Sequence, residues 1–76
     1  MGVNALADYL RTNTTLKYLN LEMNQVDAES AKNLADALCE NHSLQELRLG
    51  GNRLSKEVKK YFEKHGSRVT FELYVN

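Results

Sequence analysis

A lone cysteine, Cys39, denies this chain any internal disulfide framework, and no second cysteine is available to pair with it around a metal. That usage fits a reducing, intracellular setting, so the expected location is cytoplasmic. Net charge is zero, with ten basic residues against ten acidic ones. No global field therefore draws the chain to nucleic acid or to an anionic membrane. No apolar run approaches the ~20 residues of a membrane-spanning helix, and nothing after Met1 has the n- and h-regions of a signal peptide. Also missing are a Ser/His/Asp constellation, a phosphate loop and a paired-carboxylate motif. Catalysis and cofactor use have no support in the sequence, and none is expected. The 76 residues make one domain, and a domain this small buries only about 60–65% of its unfolded surface.

What the chain does contain is a repeat. Residues 6–16 read LADYLRTNTTL and residues 34–44 read LADALCENHSL, identical at six positions across an offset of 28. The same offset continues in LKYLNLEMN (16–24) and LQELRLGGN (44–52), both of the form L-x-x-L-x-L-x-x-N. Leu19 and Leu21, like Leu47 and Leu49, alternate with polar residues, the period of a strand with one buried face. Val3, Leu6, Ala7 and Leu10, and again Ala31, Leu34, Ala35 and Leu38, fall at i, i+3, i+4, i+7, the stripe of an amphipathic helix. Asp27 and Ser55 stand where N-caps belong. Asn13 and Asn41 follow the first two helices, where asparagine tolerates the left-handed conformation of a helix end. The unit is strand, loop, helix, loop.

The spacing predicts parallel strands near 18–22, 46–50 and 69–75, and helices near 3–12, 28–40 and 56–65. The core should hold Leu6, Leu10, Leu19, Leu21, Leu34, Leu38, Leu47, Leu49, Phe62 and Phe71. Beyond residue 54 the repeat breaks, because Glu72 stands one period after Leu44 and the third helix carries Val58, Tyr61, Phe62 and His65. Gly66 should stop that helix, and Val69, Phe71, Leu73 and Val75 then alternate as a last strand. Bulky aromatics and a shortened connection suit a terminal, capping unit.

These motifs resemble the ribonuclease-inhibitor class of leucine-rich repeats, which includes the sensor ends of NOD-like receptors and the Ran GTPase activators. The resemblance covers residues 2 to about 54. It implies an α/β fold, a fragment of a leucine-rich repeat solenoid with a short parallel sheet on the concave side and helices on the convex side. It divides the chain into a half repeat (1–15), a full repeat (16–43) and a C-terminal capping repeat (44–76), as in the tail of a longer array. The family's asparagine maps onto Asn24 and Asn52, where its amide can bond backbone that the sharp turn leaves unpaired.

The outward strand positions would form the concave face: Tyr18, Asn20 and Glu22; Glu46, Arg48 and Gly50; Thr70, Glu72 and Tyr74. Stacking is expected to align Tyr18, Glu46 and Thr70 in one column and Asn20, Arg48 and Glu72 in the next. Tyrosine anchors amid mixed charge suit a protein-binding surface; the same residues also suit a plain solvated sheet face. Gly50 and Gly51 suit close approach of a partner or a turn out of the strand. Six basic residues against Glu57 and Glu63 between Gly51 and Arg68 suit an anion or nucleic-acid contact, but no stacking motif accompanies them, and a solvated helix face is favoured. His42 and His65 have no ligand-spaced partners, and Cys39, aligned with Arg11, should be an exposed spectator.

The sequence admits three functions, of which the first is favoured. One is a protein-interaction module, such as the sensor or scaffold end of a receptor-like protein. The others are a regulator of an enzyme and a purely structural cap. The strand at Tyr18–Glu22 is an open parallel edge, from which homo-oligomerisation through the N-terminal edge is expected.

Overall fold

The computed structural model describes residues 2–72. In chain order it contains α1 (Val3–Thr12), β1 (Tyr18–Asn20), α2 (Ala28–Glu40), β2 (Glu46–Arg48) and α3 (Lys56–Lys59). Helix α3 runs into a 3-10 segment (Lys60–Arg68), which leads to β3 (Val69–Thr70). Helices α2 and α3 begin where a side chain satisfies one of the first free N–H groups. The Asp27 carboxylate accepts from Ser30 N–H at 2.8 Å, and the Ser55 hydroxyl accepts from Val58 N–H at 3.2 Å. The bonds from Ser30, backbone first, hold the Asp27 carboxyl below its ordinary range.

The strands form one parallel sheet in the order β1-β2-β3. Leu19 lies opposite Leu47, and Leu47 opposite Val69. The leucine side of the sheet packs on the helices, α1 lies against α2, and α2 lies against the 3-10 segment. Leu10, Leu34, Leu38, Leu47 and Leu49 are sealed at the centre. Val26, Ala37, Leu44, Val58 and Val69 join them. Removing one such leucine would cost about 2–5 kcal/mol.

Strands β1 and β2 are shorter than the alternation predicts, because the chain turns sharply two or three residues after each, and residues 73–75 of the third expected strand lie outside the described residues. Met23 and Gln25 take left-handed φ values of 60° and 55°, and one repeat later Gly51 and Arg53 take 75° and 55°. Alternation of polar and apolar residues cannot see such a turn. Left-handed backbone costs a non-glycine residue of order 1–2 kcal/mol, so something must hold it. Asn52 does. Its Oδ1 accepts from Asn24 N–H and Val26 N–H, both at 3.0 Å. Its Nδ2 donates to the carbonyls of Leu21 (2.9 Å) and Leu49 (2.8 Å).

Three other expectations need correction. Asn13 and Asn41 end their helices in extended conformation, with ψ of 134° and 121°, not in the left-handed region. Their side chains do the work instead, accepting from the N–H groups two and three residues on. Leu6, Leu19 and Phe71 are half-buried members of the core margin. Leu6 and Leu19 lie on the first helix and first strand, which among the described residues have a neighbouring helix and strand on one side only. The third helix narrows into 3-10 winding from Lys60, although Gly66 leaves helical geometry (φ 58°, ψ −130°) where the stop was expected.

Candidate functional site

The outward face of the sheet is set by the same alternation that sends the leucines inward. Tyr18 is 65% exposed, and its hydroxyl donates to Gln45 Oε1 at 3.3 Å. Asn20 Oδ1 accepts from Glu22 N–H at 2.9 Å, which orients the amide at the strand end. On β2, Glu46 and Arg48 form an ion pair, both side chains partly exposed. These residues, with Leu19, line a shallow depression of about 250 Å³. Among the described residues, Glu22 Oε2 and Thr70 Oγ1 are shielded from solvent and meet no hydrogen-bond partner. An acceptor in that condition gains by meeting a donor from outside.

The register overturns part of the expected alignment. Tyr18 faces Glu46, but Thr70 faces Arg48, not Glu46. The rows are Tyr18–Glu46 and Asn20–Arg48–Thr70. The connection from Leu47 to its partner Val69 is shorter than that from Leu19 to Leu47. The short α3 and the reversal at Gly66 bring the chain back early, shifting β3 by one pleat. Glu72 is exposed beyond β3, Gly50 is buried, and Tyr74 lies outside the described residues.

Two asparagines tie the repeats together, and sequence reading had singled out only one of them for this role. Asn41 Nδ2 donates to the carbonyls of Leu10 (2.7 Å) and Asn13 (2.9 Å), one repeat back. Its Oδ1 accepts from Leu44 N–H at 2.7 Å. Asn41 thus anchors the entries to β1 and β2 as Asn52 anchors their exits. The signal was its identity with Asn13 across the 28-residue offset. Leucines facing inward from a parallel ladder, with a buried asparagine bridging successive turns, form a recurrent unit. Residues 12–35 and 40–57, together more than half of the chain, match the family described as Leucine Rich repeat. The chain belongs to the leucine-rich repeat family. Both complete copies of L-x-x-L-x-L-x-x-N lie inside the matched stretches. Leucine-rich repeats generally mediate protein–protein interaction and are typically not enzymes.

The remaining candidate groups serve this leucine-rich repeat structurally. Arg68 belongs to the basic stretch, yet its guanidinium turns inward. It donates to the carbonyls of Asn41 (2.8 Å), Leu44 (3.0 Å) and Leu38 (3.3 Å), capping the end of α2. No local pattern marks an arginine that acts on a helix some 30 residues earlier. Lys59 lies over the Phe71 ring at 5.4 Å. Cys39 is exposed, with its sulfur 3.9 Å from His65 Nε2. That nitrogen is 3.0 Å from the Ala35 carbonyl, so it carries a proton and cannot take one from the thiol. Burial chiefly, with the Arg68 and Lys64 charges, pulls the His65 pKa below its ordinary value. A cation at that helix end is therefore disfavoured. Among the described residues no three His, Cys, Asp or Glu side chains converge as metal ligands, and no helix is long and apolar enough to cross a membrane.

Proposed function

We propose that this leucine-rich repeat chain is a protein-interaction module whose outward sheet face contacts a protein partner. The observation that carries the reading is the composition of that face. An exposed tyrosine stands beside the Glu46–Arg48 pair, with two shielded acceptors awaiting donors. Tyrosine and arginine at the centre of a contact supply most of the binding energy in protein interfaces. The finer reading is a ribonuclease-inhibitor-type, NOD-like-receptor-like unit near the C-terminal end of a solenoid. There the sheet lines the concave side, and the unit serves as the sensor or scaffold end of a cytoplasmic receptor-like protein. Two copies would join through the N-terminal edge, where β1 has a strand on one side only.

The test is capture from a cytoplasmic extract by the wild-type chain, Tyr18→Ala, Arg48→Ala and Asp36→Ala, the last an exposed change on α2. Proteins held by wild type and Asp36→Ala but lost from both face variants support the reading. Equal retention by all four chains overturns it.

A further inference from the structure

The chain carries the pattern Asn-x-Ser/Thr twice, at Asn13-Thr14-Thr15 and, one repeat on, at Asn41-His42-Ser43, neither with proline in the middle. That pattern is the acceptor for N-linked glycosylation, which attaches an oligosaccharide to the asparagine amide. An acceptor that keeps its glycan in a folded protein lies at the surface, where the sugar stands in water. Asn41 does not. It is 2% exposed.

Both hydrogens of the Asn41 amide are committed inside the protein. Nδ2 donates to Leu10 O at 2.7 Å and to Asn13 O at 2.9 Å. Oδ1 accepts from the N–H groups of Ser43 and Leu44 at 2.9 and 2.7 Å, which fixes the amide plane. A glycan replaces one of the two hydrogens by the first sugar carbon, about 1.45 Å from the nitrogen. On the line to either carbonyl, that carbon would stand about 1.3–1.5 Å from the oxygen. Nonbonded carbon and oxygen need about 3.3 Å. Turning the amide aside would break the bonds to Ser43 and Leu44, and the sealed surroundings leave the sugar ring no place. A glycan on Asn41 and the native fold exclude each other.

We infer that Asn41-His42-Ser43 is a latent glycosylation acceptor that ties folding to a compartment. Modified before the chain folds, it blocks the native state, so the chain becomes native only where N-glycosylation does not reach it. The acceptor is slow to close. The Arg68 guanidinium donates to Asn41 O at 2.8 Å, and Arg68 follows Asn41 by 27 residues. Synthesis at about 5–20 residues per second therefore leaves the site open for about 1–5 s. In the transfer, Nδ2 of Asn41 attacks the anomeric carbon of a lipid-diphosphate-linked oligosaccharide. The C–N bond forms as the bond from that carbon to the diphosphate oxygen breaks. The amide proton passes to a base of the transferase, and the lipid diphosphate leaves; nothing is oxidised or reduced. The inference deepens the cytoplasmic reading above and is independent of what the sheet face binds.

The test directs the 76-residue chain into the secretory pathway of cultured cells behind a cleavable signal, whose removal reports translocation. Thr15→Ala, an exposed change, eliminates the Asn13 acceptor. This chain should gain one glycan, seen as a mass shift reversed by endoglycosidase. Limited proteolysis should cut the glycosylated chain about ten-fold or more faster than the same chain made without the signal. Made with the signal and an inhibitor of lipid-linked oligosaccharide synthesis, the chain should regain its resistance. So should Ser43→Ala, since the hydroxyl contacts it loses are long, at 3.2 and 3.3 Å. A glycan at Asn41 on a chain as resistant as the unmodified one overturns the exclusion. A translocated chain that gains no glycan overturns the acceptor. A chain that stays protease-sensitive with the inhibitor present overturns the tie to glycosylation, because something other than the sugar then prevents folding there.

Discussion

Asn24 and Asn52 occupy the same repeat position in different surroundings, and replacing each by alanine separates the role of the motif from its environment. Asn52 makes four hydrogen bonds of 2.8–3.0 Å and is 7% exposed. Asn24 donates one from its side chain, to Glu22 O at 2.9 Å, at the surface. In Asn52→Ala the N–H of Val26 and the carbonyls of Leu21 and Leu49 lose their partner away from solvent, and each such group costs about 1–3 kcal/mol. A water in the vacated space recovers part of that, so a net loss of about 3–5 kcal/mol is expected. Asn24→Ala exposes its carbonyl to water and should cost about 0.5–1 kcal/mol. Total stability for a chain of this length is about 4–11 kcal/mol. Urea titration followed by far-UV circular dichroism at low micromolar concentration therefore resolves the two variants. Losses within about 1 kcal/mol of each other would refute the claim that the buried amide, rather than the sequence position, holds the turn.

Leu47 is 0% exposed at the sheet centre, so Leu47→Ala should cost about 2–5 kcal/mol; a loss under about half a kcal/mol in denaturant would place the core on the wrong side of the sheet. Arg68→Ala should lower stability by about 2–3 kcal/mol through the three carbonyls it leaves uncapped, and Arg68→Lys should recover only part, since an ammonium cannot reproduce the planar fork; full recovery by lysine in the same titration would reduce the role to charge. His65 has a depressed pKa in the fold, so its neutral form is the stable one. Its contribution is complete above the unfolded value of about 6.5 and is lost as pH falls through the lower folded value. Thermal melts from pH 7.5 to 5 should show a steeper decline for wild type than for His65→Gln, and parallel declines would remove His65 from the acid response.

Much of this protein was legible from side-chain order alone, because burial of one face imposes a period that the sequence must carry. Leu19, Leu47 and their neighbours announced strands, the i, i+3, i+4, i+7 stripes announced helices, and the helix bounds Val3–Thr12 and Ala28–Glu40 agree with the pattern. Asp27 and Ser55 cap as their side chains allow. The candidate face follows from the same parity, which puts Tyr18, Asn20, Glu46, Arg48 and Thr70 on the side opposite the leucines. What parity cannot supply is distance between segments. The offset between β2 and β3 depends on how far a short helix carries the chain before Gly66 turns it, and that alone put Thr70 beside Arg48. Arg68 reads as one more surface cation until the end of α2 arrives beside it. Asn41 and Asn52 have the same side chain as Asn13 and Asn24, and only the repeat stacked against them makes them buried ties. A side chain's identity states what it can bond, and the neighbours that tertiary packing brings decide which of those bonds are made.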